Sequence, residues 1–195
     1  MKHLSLLILI ASICSCKSDE GPLIRPRQYP KVDFPAQSYS TFESEGCPFK
    51  VQIPEHSQVE QKKYLFDNIP AGQCWFDIVI PDFNATIHCS YFPINEDNIY
   101  GSLVNDAFTM AGKHNIKATF REEFNIENQF GSRGLIFKIN GPVATPYQFY
   151  ISDSTQHFLR GSLYFDNDIN SDSISPVVNF LRKDIDVFLS SLQWE

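Results

Sequence analysis

The segment from Ile116 to Phe165 limits the possible fold more than any other part of the chain. It holds four apolar-rich, β-prone runs: Ile116 to Ile126, Gly134 to Asn140, Tyr147 to Ser152 and His157 to Phe165. Only Gly131, Gly134, Gly141-Pro142 and Asp153-Ser154-Thr155 punctuate them. A parallel neighbour needs a crossover of about a dozen residues or more, so connections this short predict a mainly antiparallel sheet. In the last run Phe158, Arg160, Ser162 and Tyr164 share one face, with Leu159, Gly161, Leu163 and Phe165 on the other.

Upstream, Phe49 to Ile53 alternates apolar and polar residues and stops at Pro54. Trp75 to Ile80 and Ala85 to Phe92 read as two strands joined by a tight turn at Pro81-Asp82. From Ala85 to Tyr91 the odd positions are apolar and the even ones polar, which marks one buried and one wetter face.

Two stretches change to helical period. Asn95 to Asn98 supplies caps for a helix running to about His114, with Ile99, Leu103, Ala107 and Met110 as its apolar stripe. Ser175-Pro176 reads as a cap followed by proline at the first helical position, and Val177, Leu181, Ile185, Phe188 and Leu192 then recur at helical spacing. Both stripes need the sheet to bury them. The expected class is therefore α+β: a mainly antiparallel sheet flanked by two helices, an order that resembles the Mog1/PsbP-like α/β/α sandwich. That likeness concerns fold alone.

The chain opens with Met1-Lys2-His3, an apolar run from Leu4 to Ile13, and Cys14-Ser15-Cys16. The run is shorter than the roughly 20 residues that span a bilayer and suits the apolar part of a secretory signal. With a small residue before Cys16, it reads as a bacterial lipobox: residues 1–15 form the signal and Cys16 is the lipidation site. An ordinary signal peptide with two incidental cysteines is the alternative. Each buried CH₂ of an acyl chain contributes roughly 0.8 kcal/mol, and two or more chains hold stably. Residues 16–46, with Pro22, Pro26, Pro30 and Pro35, are expected to be a tether whose later half, carrying Tyr39 and Phe42, lies along the domain. Residues 47–195 form the expected single domain. No acidic residue directly follows Cys16, so the outer membrane facing the periplasm is the expected location. The cell surface and the inner membrane remain alternatives.

The net charge of −7 becomes one unit more negative when Lys2 leaves with the signal. Such a balance argues against nucleic acid, whose phosphates demand a basic surface, and against electrostatic adhesion to anionic lipid. Three cysteines remain beyond the lipobox, Cys47, Cys74 and Cys89. An oxidising compartment permits a disulfide, and Cys47 with Cys74 is the favoured pair because each opens a Phe-containing segment. Its loop closure is worth roughly 3–4 kcal/mol. Pairing is not settled by sequence, and three free thiols remain the alternative.

Motifs for chemistry are sparse. There is no G-x-S-x-G, H-E-x-x-H or C-x-x-C. His56, His88, His114 and His157 are scattered, so no metal site and no cofactor is implied. Ser162 or Ser154 with His157 is the only nucleophile pairing worth naming. Asp166, Asp168 and Asp172 crowd one loop, whose composition fits a solvated turn better than a Ca²⁺ site.

Three stretches carry a family resemblance: Cys74-Trp75-Phe76-Asp77-Ile78, PYQFYISDSTQHFLRGSLYF from Pro146 to Phe165, and PVVNFLRKDI from Pro176 to Ile185. With the lipobox and Gln193-Trp194 they resemble the gliding motility lipoprotein GldD family of Bacteroidota. The resemblance implies a lipid-anchored, non-enzymatic role in gliding and in the linked type IX secretion machinery, with other envelope proteins of that machinery as partners. It transfers no catalytic residue. An envelope glycan hydrolase or carbohydrate-binding lipoprotein, and a periplasmic assembly or stability factor, are the competing expectations. Asp153-Ser154-Thr155 and Asp172-Ser173-Ile174 also match the acceptor pattern of Bacteroidota periplasmic O-glycosylation, at Ser154 and Ser173, although turn chemistry explains Asp-Ser equally well.

Overall fold

The structure, a computed structural model, describes residues 31–62, 74–166 and 171–195, the side chains of 115 and 171–173 excepted. The strands are β1 (Tyr39–Phe42), β2 (Phe49–Pro54), β3 (Gln58–Gln61), β4 (Trp75–Ile80), β5 (Ala85–Pro93), β6 (Phe120–Glu127), β7 (Arg133–Asn140), β8 (Tyr147–Ser152), β9 (His157–Phe165) and β10 (Gln193–Trp194). The helices are α1 (Tyr100–Lys113), between β5 and β6, and α2 (Ser171–Ser191), between β9 and β10.

Seven strands form one sheet in the order β3-β4-β5-β9-β8-β7-β6, every neighbouring pair antiparallel. A three-stranded sheet, β1-β2-β10, is antiparallel as well. The short connections between β6 and β9 produce the expected hairpins.

The large sheet is buried on both faces by different partners. On one face Ile78, Ile87, Phe149, Ile151, Leu159 and Leu163 pack with Phe49 and Val51 of β2 and with the α2 stripe Val177, Leu181, Ile185, Phe188 and Leu192. On the other, Phe137, Ile139, Tyr150 and Phe158 pack with Leu103, Ala107 and Ala111 of α1. The α+β class and the α/β/α layering follow from this alternation of apolar residues on both sides of β8 and β9.

Local departures from the sequence reading have physical causes. The helix α1 buries Ala111 rather than Met110, and Ile99 stands outside it, exposed. A spacing of four keeps Leu103, Ala107 and Ala111 on one side. Asn95 Oδ1 accepts from the N–H groups of Asp97 and Asn98, so the caps form a turn ahead of the helix rather than its first turn. Ile116 belongs to a short 3₁₀ turn (His114–Ile116), and β6 begins only at Phe120. Pro81–Phe83 is a 3₁₀ turn closed by Asn84 in the left-handed region, not a two-residue turn. Helix α2 begins at Ser171, so Pro176 lies inside it rather than at its first position, where it removes one i→i−4 hydrogen bond and crowds the carbonyl four residues earlier. Strand pairing begins at Tyr39, inside the stretch read as tether.

Candidate functional site

A cavity of about 620 Å³ opens where the small sheet meets the ends of β4 and β5. Its apolar lining is Trp75, Tyr91, Phe92, Pro48 and Pro93, and Glu45, Asn98 and Glu195 bring polar groups to it. The strand ends aim these rings. Trp75 Nε1 donates to the Tyr91 carbonyl at 3.1 Å, and the indole meets the Phe92 ring edge-on at 5.4 Å. Trp194 of β10 stacks on His157 at 5.0 Å, and the Tyr91 hydroxyl lies 2.9 Å from His157 Nδ1. Burial pushes the Tyr91 hydroxyl above its ordinary range, so it stays protonated at neutral pH.

The Ser44–Pro48 loop makes one wall and Trp75 of β4 part of the other. Cys47 and Cys74 join them covalently, with Cα atoms 5.0 Å apart. The bridge is nearly buried and holds the two walls at a set distance. Cys89 is a buried free thiol, pushed well above its ordinary pKa by burial and therefore unreactive.

The catalytic pairing drawn from sequence is not formed. His157 serves Tyr91 and Trp194, and Ser154 sits in the exposed β8–β9 turn at a φ of 67°. The strand opposite Ser162 carries His88, and the one beyond it Asp77. Asp77 accepts from His88 at 2.7 Å and pairs with Lys62 at 2.8 Å. Burial works against this carboxylate, but the hydrogen bonds from His88 and Lys62 outweigh it and hold the pKa below the usual range. Ser162 makes no hydrogen bond to His88, so the Asp–His–Ser row is a ladder of polar cross-strand pairs, not an assembled nucleophile.

Of the other sequence-derived residues, Cys16 lies outside the described residues. Ser173 falls in α2, with its side chain likewise outside them. Most of the Asp166–Asp172 loop is also outside. Sequence reading missed the groove because its walls come from residues 44–48, 75, 91–93, 98 and 195, far apart in the chain. The cluster of rings at strand ends was the only available signal.

A family model described as gliding motility lipoprotein GldD matches residues 19–194. The chain belongs to the gliding motility lipoprotein GldD family. The match covers all of the described residues but Glu195, including both sheets and both helices. Membership makes this a gliding-motility-associated lipoprotein of the cell envelope, from a family not known for catalysis. Comparison with curated proteins yields no match. Among solved structures, the solution structure of cyanobacterial PsbP (CyanoP) from Synechocystis sp. PCC 6803 is similar at 10% identity. It covers 90% of this chain and 100% of its own, with a TM-score of 0.49.

Proposed function

We propose that the mature protein is held by lipid on Cys16 in the outer membrane, facing the periplasm. There it acts without catalysing a reaction, as a protein-contact component of the gliding apparatus and of the linked type IX secretion machinery. Family membership supports the motility role. The observation that carries the contact role is the disulfide-walled aromatic groove.

Trp75, Phe92 and Pro93 offer flat apolar surface at low entropic cost, and Glu45 and Glu195 add negative charge. An extended segment of a partner envelope protein, with apolar side chains and a basic residue, fits that chemistry. His157 beside the groove is engaged by the Tyr91 hydroxyl and the Trp194 ring rather than by a serine, which favours this reading over a glycan hydrolase. Ser154, exposed in its turn, is the better of the two proposed O-glycosylation sites.

The test places a photo-crosslinking residue at Trp75 or Pro93 in the full-length protein in gliding cells. Crosslinks to defined machinery proteins, with gliding lost in Trp75→Ala at normal protein abundance, support the proposal. Crosslinks to glycan alone would favour the carbohydrate-binding alternative. Full gliding in Trp75→Ala with partner levels collapsing only on gene deletion would favour the stability factor.

A further inference from the structure

β6 closes one end of the large sheet, and no described strand pairs with its outer side. Such an edge offers a row of free backbone donors and acceptors, which soluble proteins usually blunt. Here it instead gathers exposed apolar side chains. Phe120 is 53% exposed, Phe124 is 47% exposed, and Ile116 just ahead of the strand is 93% exposed. Pairing with β7 sets the faces. Phe120, Glu122 and Phe124 lie on the α2 side with Lys138 and Ile136, and Arg121 and Glu123 lie on the α1 side with Ile139 and Phe137.

We infer that β6 is a self-complementary edge that pairs antiparallel with β6 of a second copy of this chain, about a two-fold axis through Glu122. In that register the two faces match residue by residue. Phe120 of one copy meets Phe124 of the other, and Arg121 meets Glu123, each pair occurring twice. The pairing keeps like faces together because the facing positions sum to an even number, so no side chain crosses the sheet. The result is a continuous sheet of twice seven strands, and the interface is isologous, as a two-fold dimer requires.

The unfavourable element is Glu122 against its own copy. That carboxylate already holds Lys138 at 3.0 Å and Asn140 at 3.4 Å, with Lys138 lowering its pKa, so each copy brings a neutralised pair to the axis. The other charges at the edge are likewise matched within one copy. Arg121 holds Glu123 at 2.7 Å and lies over the Phe137 ring, and Arg133 holds Glu127 at 3.1 Å. The Arg121–Glu123 pairs exchange partners across the axis, while Arg133 and Glu127 stay paired within each copy. The inference does not depend on the groove or on the motility role.

The experiment uses the full-length chain in its native cells. Glu122→Cys is oxidised in intact envelopes and read as a dimer on a non-reducing gel. The wild-type chain is the control for the native cysteines. Directly opposed positions lie about 5 Å apart, within disulfide reach. Asn125→Cys places its thiols six residues out of register, roughly 20 Å apart. The expected result is a dimer with Glu122→Cys and at least about tenfold less with Asn125→Cys. In the Glu122→Cys background, Arg121→Glu or Glu123→Arg alone should lower the yield about tenfold by setting like charges opposite each other. The two together should restore it. A monomer at Glu122→Cys, equal yields at both positions, linkage to a different protein, or no restoration in the double swap would each overturn the inference.

Discussion

Asp184 of α2 has its side chain wholly out of solvent, and Tyr39 O–H donates to its Oδ1 at 2.8 Å. His56 Nε2 lies 3.3 Å from Oδ2, close enough for attraction but off the hydrogen-bond direction, and His56 Nδ1 has no described partner. Burial raises the Asp184 pKa above its ordinary 3.8, against the opposing pull of Tyr39 and His56. The folded state therefore holds this proton more tightly than the unfolded one. The contribution is full below the unfolded value and is lost as pH rises through the folded one. Asp184→Asn, which cannot ionise but still accepts from Tyr39, is expected to gain on the wild type in urea unfolding between pH 4.5 and 7. Asp184→Ala strands the Tyr39 hydroxyl and is expected to cost about 1–3 kcal/mol at either pH. Neither Tyr39 nor His56 was legible as a partner of Asp184, because 145 residues separate the first pair. Proximity across such a gap is decided by packing, not by local pattern.

Between elements, Asn128 does the work of a tether. Its Nδ2 donates to the carbonyls of Leu189 and Leu192 at 3.1 and 2.8 Å, and its Oδ1 accepts from the N–H groups of Phe130 and Ser132. One amide thus shapes the β6–β7 turn and satisfies carbonyls at the end of α2 that no helical N–H can reach. Asn128→Ala should cost roughly 2–3 kcal/mol in equilibrium unfolding. Asn128→Asp keeps the acceptor but sets a carboxylate against carbonyls at the negative end of the helix. That group would carry a raised folded pKa, so the variant should recover stability as pH falls, a behaviour Asn128→Ala cannot show. The sequence offered Asn128 only as a turn residue. The α2 stripe, by contrast, was plain from Val177 to Leu192, since helical period and burial coincide there.

At the scale of the whole molecule, acid stability and anchoring are the testable properties. Burial opposes the charge on Asp153, yet N–H groups from Gln156, His157 and Thr155 lower its pKa, as His88 and Lys62 lower that of Asp77. Both carboxylates contribute stability that is present above the ordinary value of 3.8 and lost as pH falls through their lower folded values. Melting temperature should therefore drop below about pH 4, and the drop should be shallower in Asp77→Asn and Asp153→Asn than in the wild type. The proposed lipid anchor lies on a different residue. Cys16→Ala should move the protein from the membrane fraction to the soluble one, or leave it unprocessed, with loss of acyl label. Unchanged fractionation with label retained would count against the lipid anchor.

Sequence alone determined the antiparallel sheet, both helices and their buried stripes, because period and connection length are local properties that burial then enforces. It also carried the family, through the stretch from Pro146 to Phe165, which becomes β8, its turn and β9. Only the tertiary structure decided the groove, the Asp184 cluster and the β6 edge. Each depends on residues brought together by closure of the sheet and docking of α2, and on which strand is left at the end without a neighbour. Those are consequences of how the layers stack, and no window along the chain contains them.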